Sequence, residues 1–320
     1  MKKTIKAIVA LALVAVLAVS FAGCAKMNYV MNGTIKAINE VKTDEWLNTD
    51  TEATDADGDE DAPVIDAFAT GTYGGVEFAT QDDVVNYYVE AYNNTKAKTA
   101  QYKNAEGATE TFYAFLGDDD LKVENILVDG KANATIENLV PGVVGGLFSK
   151  NINGLPPAKN RNPEKDVDEV NQETLQTSRL VPEDVLAANV VDNGDGTITL
   201  TIQPKAFNMS VPGMDCQGHM FSTLGDIGPT VASISILSWA SGDTEENCRV
   251  EYKGGTAIIK IDTASKEIVE ADYHEVAIVK VQHANVAIIR DKSAQLTVKY
   301  DQHFPCTDDY MKETKGVTRA

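Results

Sequence analysis

From Val190 to Tyr300 the chain is written almost entirely in short runs that alternate apolar and polar residues, and that pattern can bury itself only as strands of an antiparallel sheet. Thr197–Gln203 alternates after the turn signal Asn193-Gly194-Asp195-Gly196. Val231–Trp239, Cys248–Lys253, Thr256–Asp262, Glu267–Val281, Val286–Arg290 and Leu296–Tyr300 continue the series as a meander. Within Val269–Val281 the odd positions Val269, Ala271, Tyr273, Ala277, Val279 and Val281 are apolar, with Glu275 the exception. Val276 and Ile278, on the other parity, are apolar too. The second half of this strand is therefore expected to be covered on both faces, by a helix on one and by a core, a ligand or another sheet on the other.

Upstream, the spacing predicts a helix from Gln81 to about Lys98. Thr80 with Asp83 reads as a cap, and Val84, Val85, Tyr88, Val89 and Tyr92 recur at helical spacing. Thr109–Leu116 and Leu121–Val128 read as two strands joined by a turn at Gly117-Asp118-Asp119-Asp120. Glu137–Lys150 is apolar but broken by Gly142, Gly145 and Gly146, the pattern of an interrupted helix or a flap. Gly154–Gln172 reads as a loop. The expected fold class is α+β: an antiparallel β meander, half-barrel or curved sheet, packed by an N-terminal helix.

At the N-terminus, Lys2, Lys3 and Lys6 precede the apolar run Ala7–Val19 and then Ser20-Phe21-Ala22-Gly23-Cys24. A positive segment, a short apolar core and small residues before a Cys form a bacterial lipoprotein signal, although Phe21 stands where leucine is usual. Residues 1–23 are thus expected as signal peptide, with Cys24 carrying diacylglycerol and palmitate at the outer face of the cell membrane. Residues 24–66 are expected as anchor and spacer, 67–310 as the body and 311–320 as a tail. Asp44–Asp66 holds ten acids, and no Lys or Arg occurs from Thr43 to Thr95. Such a run repels itself into an extended linker. It is not an EF-hand loop: with Gly58 at the loop glycine, Ala53 and Val64 fall where the first and last ligands belong. Removing residues 1–23, which carry three lysines and no acid, takes the net charge from −20 to −23. Nucleic acid is excluded as a partner on that charge, whereas cationic partners stay open.

Beyond Cys24 the cysteines are Cys216, Cys248 and Cys306. Cys216-Gln217-Gly218-His219 and His303-Phe304-Pro305-Cys306 each place two metal-type ligands three apart, and would make a zinc tetrahedron if folded together. The competing expectation is a disulfide from Cys216 to Cys248 or Cys306, or buried thiols. No Gly-x-Ser-x-Gly elbow, zinc-protease helix or phosphate loop is present, so catalysis is the weaker class and no cofactor other than that zinc is implied. His274 and His283 read as partly exposed sheet residues.

The order of lipobox, acidic spacer, Gln81-Asp82-Asp83-Val84-Val85-Asn86-Tyr87-Tyr88, Leu180-Val181-Pro182-Glu183-Asp184-Val185, Asp192–Leu200 and Ile261–Val269 is similar to uncharacterised lipoproteins of Gram-positive anaerobes. More distantly, a helix followed by a long meander resembles the half-barrels of bacterial lipoprotein carriers. That architecture implies an apolar concavity for acyl chains. The expected function is a membrane-anchored lipoprotein that binds an apolar or amphipathic ligand without catalysis, through Val144, Phe148, Tyr273, Val276 and Ile278. The alternatives are an acidic module for a cationic partner and, behind it, a zinc-dependent hydrolase.

Overall fold

The computed structural model describes residues 62–128, 131–132, 154–168, 173–225, 237–286 and 289–320. In chain order these form a hairpin of β1 (Gly71–Tyr73) and β2 (Val76–Phe78), helix α1 (Gln81–Lys96), then β3 (Thr99–Asn104), β4 (Thr109–Tyr113), β5 (Asp118–Val128) and β6 (Lys131–Ala132). There follow β7 (Val185–Asp192), β8 (Thr197–Pro204), β9 (Phe207–Asn208), β10 (Leu237–Trp239), the short α2 (Thr244–Asn247), β11 (Cys248–Tyr252) and β12 (Thr256–Asp262). The long strands β13 (Glu267–Val286) and β14 (Ile289–Phe304) lead to α3 (Asp308–Tyr310), a π-helical turn over Met311–Lys315 and β15 (Val317–Arg319).

One curved, open antiparallel sheet dominates, with strand order β6-β5-β14-β13-β12-β8-β7. β13 is its seam: β14 runs along one edge, and β12, β11 and β10 share the other. The alternation seen in the sequence sets the faces. Ala271, Tyr273, Ala277, Val279 and Val281 point into the core, together with Ile259 and Ile261 of β12 and Leu296, Val298 and Tyr300 of β14. Val276 and Ile278 lie on the opposite face, half-buried.

Helix α1 covers the inner face. It starts where the Asp83 carboxylate accepts from the Thr80 and Ala79 amides at 2.8 and 2.9 Å, which holds that carboxyl below its ordinary value. Val84, Tyr88, Ala91 and Tyr92 recur every three to four residues and are wholly enclosed. Burying each large side chain of this kind contributes about 1.5–3 kcal/mol. Tyr88 meets the sheet hydroxyl to hydroxyl with Tyr273 at 3.2 Å, and Thr95 accepts the Ile268 amide at 2.9 Å.

Several expectations change. Gly117–Asp120 is not a hairpin turn. β4 pairs with β3 in a separate three-stranded sheet, and Asp118–Asp120 are the first residues of β5, which pairs with β14. Of the pieces expected at Val286–Arg290 and Leu296–Tyr300, Val286 ends the long β13, while Ile289, Arg290 and Leu296–Tyr300 belong to the long β14. Residues 311–320 are no loose tail: β15 closes the small sheet against β3, and Met311 and Val317 complete a second core with Tyr102, Phe112, Tyr113, Leu116 and Cys306. Cys216, Cys248 and Cys306 are buried thiols rather than partners in a disulfide.

Candidate functional site: an acidic groove lined by histidines

Two tripeptides of the same form, Asp272-Tyr273-His274 on β13 and Asp301-Gln302-His303 on β14, sit opposite each other in antiparallel register. A strand turns residues i and i+2 to the same face, so each tripeptide sends its Asp and His outward and its middle residue inward. The antiparallel direction then sets Asp272 against His303 and His274 against Asp301. His303 Nδ1 lies 2.7 Å from Asp272 Oδ1, and His274 Nδ1 lies 2.7 Å from Asp301 Oδ1. A carboxylate can only accept, so Nδ1 carries the proton in both pairs.

β5 extends the rows. Asp118 stands beside His303 and Asp120 beside Asp301. The outer face thus carries Asp118–His303–Asp272 in one row and Asp120–Asp301–His274 in the next. These six residues, with Asp119, Gln302 and Tyr310, line an open cavity of ≈ 450 Å³. Five aspartates and no Lys or Arg contribute to its wall. Lys122 bridges Asp120 and Asp301 at 2.9 and 3.5 Å from just outside. Burial raises the Asp118 carboxyl above its ordinary value; His303 pulls it back, and Asp119 and Asp272 push it up again.

The inner wall is hydroxyl-rich. Tyr310 of α3 donates to Asp119 Oδ1, and the Tyr300 hydroxyl lies 3.5 Å from Asp119 Oδ2. Gln302, across from Asp119, is 2% exposed, and its side chain reaches the Tyr300 hydroxyl. Glu275 lies on the same inner face, opposite Tyr300 and diagonal to Gln302. It is 1% exposed, both of its oxygens are unpartnered, and burial pushes its carboxyl up to about 8.

The zinc quartet is not assembled. Cys216 Sγ faces the Lys205 carbonyl at 3.1 Å and His219 pairs with Asp184 at 2.8 Å, whereas Cys306 lies in the second core. The Cys216–His219 spacing belongs to a turn built around Asp215, whose carboxylate accepts from Ser210, Val211, Gln217 and Gly218. Gly218 is required there, since a Cβ would fall 2.0 Å from the Val211 carbonyl oxygen. Burial also pushes Cys216 up to about 12 and Cys306 up to about 11, which disfavours the thiolate a metal needs. Among the described residues, the metal-type ligands that do converge are Glu270, Asp272 and His303, within 4.8 Å of one another.

Of the residues expected to hold an apolar ligand, the three that are described do not share one surface. Tyr273 is enclosed in the core between Phe221 and Phe304, while Val276 and Ile278 face the other way. Val144, Phe148, Cys24, the signal peptide, the acidic spacer to residue 61 and the first part of the expected strand at Val231 lie outside the described residues. Sequence reasoning missed Asp118, Asp120, Asp272 and Asp301 as a group. The repeated Asp-x-His is the signal that marks half of it. Comparison with protein-family models, curated proteins and solved structures found no match.

Proposed function

We propose that this chain is a binding protein of the cell envelope, anchored by lipid at Cys24, whose groove captures cationic ligands. The observation that carries the reading is the groove wall: five aspartates converge on one open cavity whose lining holds no Lys or Arg. A concave surface of one sign concentrates ions of the other sign and accelerates their capture. The two His–Asp pairs fix the carboxylates in place while leaving the wall net negative. The role proposed is binding without catalysis.

Titration of the full chain with spermidine, at 20 mM and 300 mM salt, tests the reading. Binding is expected at low salt and is expected to weaken steeply at high salt. The double variant Asp272→Asn/Asp301→Asn is expected to bind about tenfold more weakly, the loss of roughly 1.4 kcal/mol of Coulomb attraction. Equal affinity in variant and wild type would remove the groove from the account. An acyl probe in the same titration tests the apolar-ligand reading, for which Val276 and Ile278 stay half-buried on the outer face.

A further inference from the structure

We propose that Glu270, Asp272 and His303 form a seat for one divalent transition-metal ion of the zinc class, at the β13 end of the Asp118–His303–Asp272 row. The seat rests on the cation-binding reading for the acidic field around it, and adds a chemically selective position within that field. Residues 270 and 272 are two apart on β13 and share a face, and the register sets His303 of β14 across from Asp272. One ligand atom from each of the three lies within 4.8 Å of the other two. Asp272 and His303 line the groove, and Glu270 stands exposed just outside that lining. Lys260 on β12 is opposite Glu270, but its ammonium is turned to Asp195, 3.5 Å away. Among the described residues Glu270 therefore has no ion-pair partner of its own.

The donor set decides the ion. One imidazole nitrogen with two carboxylates suits zinc and its neighbours better than calcium or magnesium. Calcium takes about six to eight oxygens, a shell that two carboxylates and a nitrogen do not supply. Zinc bonds of about 2.0–2.2 Å put neighbouring ligands roughly 3–3.5 Å apart. His303 Nδ1 and Asp272 Oδ1, at 2.7 Å, stand near that spacing with a proton between them. An ion that takes the place of this proton turns a donor and an acceptor into two ligands, releases the proton to solvent, and leaves exposed Glu270 to swing in as the third. The pair His274–Asp301 is not equivalent. Lys122 bridges Asp301 and Asp120 at 3.5 and 2.9 Å, and among the described residues no second trio of ligand atoms gathers as closely. Three protein ligands leave zinc at least one open position, so the ion is held exchangeably rather than as a structural centre.

The experiment is titration of the full chain with zinc chloride, calcium chloride and spermidine, read by calorimetry and by imidazole nitrogen NMR, with Cys24→Ser as the common background to remove a competing thiol. The chain has 4 histidines, so each ring can be assigned. Zinc is expected to change the His303 ring signals and leave those of His274 in place, and calcium is expected to bind at least about tenfold more weakly. Loss of even an outer partner of a metal ligand costs about tenfold or more, so Glu270→Gln and His303→Gln, each shown to fold by circular dichroism melts, should weaken zinc by at least that factor. His274→Gln should change zinc affinity, and Glu270→Gln spermidine affinity, by less than about twofold. Calcium binding as tightly as zinc, or zinc that leaves the His303 ring unchanged in the parent protein, overturns the seat. If spermidine binds and zinc does not, the groove stands and the seat falls. If zinc binds through His303 and spermidine does not bind, the seat stands and the capture of organic cations falls; if neither binds, both fall together.

Discussion

Glu275 is the residue whose chemistry departs furthest from its surroundings. Burial raises its carboxyl to about 8 from an ordinary 4.5, with no opposing cation. The sign of the resulting pH dependence follows from proton binding. Below pH 4.5 both folded and unfolded chains hold the proton and the group has no effect. Between 4.5 and 8 the unfolded chain releases it while the folded chain retains it, so stability falls as pH rises; above 8 the loss is complete. Glu275→Gln removes this dependence. It is expected to be no more stable than wild type at pH 4 but more stable by roughly 3 kcal/mol at pH 7, a figure derived from about 1.4 kcal/mol per pH unit. Urea denaturation at the two pH values measures it, and equal stability at pH 7 would show that a counter-charge reaches the carboxylate. In the sequence this glutamate stood out only as a break in the apolar alternation of β13. The repeated Asp-x-His was equally plain, yet nothing local tells which two strands will pair or in what register.

At the scale of elements, the sequence made α1, β8, β11, β12 and much of β13 and β14 readable because their signals are local: a cap, a helical stripe, turn dipeptides and alternation. β5 was readable only in its apolar half. Three consecutive aspartates after a glycine carry the composition of a turn, and only the pairing with β14, distant in the chain, makes them a strand. The same limit hid the role of Lys96. Lysine in the last helical turn reads as a dipole partner. Instead its ammonium is buried, 3.0 Å from Asp166 and 3.1 Å from the Pro157 carbonyl, with the Tyr113 ring 4.6 Å away. Burial pulls Lys96 below its ordinary value and Asp166 counters it. This pair ties α1 to the segment 154–168. Lys96→Met should destabilise by about 3–5 kcal/mol, because Asp166 would remain as a buried charge without its partner. Lys96→Met/Asp166→Leu should recover much of that loss in the same urea experiment. A double variant as unstable as the single would mean that the carbonyl contacts, not the ion pair, hold the segment.

For the molecule as a whole, the two cores meet through α3 and the last residues of the chain. Tyr310 touches the groove at Asp119, while Met311 and Val317 fill the small core a few residues later. Deleting residues 311–320 should therefore lower the melting temperature by several degrees, since removal of two buried large side chains is worth about 3–6 kcal/mol. It should also raise binding of a hydrophobic dye; an unchanged melt would return this segment to the status of a tail.

The partnership of β5 with β14 has a bearing on when the groove can form. The groove brings together residues such as Asp119 and Tyr310, which lie 191 positions apart. A chain delivered from its N-terminus onward can form α1 and the small hairpins early, but such distant pairings must wait for the end. Asp118, Asp119 and Asp120 then spend most of synthesis as an unpaired acidic edge, kept soluble by their own charge. The groove is thus one of the last features to form, and a chain truncated before β13 would carry Asp118–Asp120 without the histidines that lie opposite them.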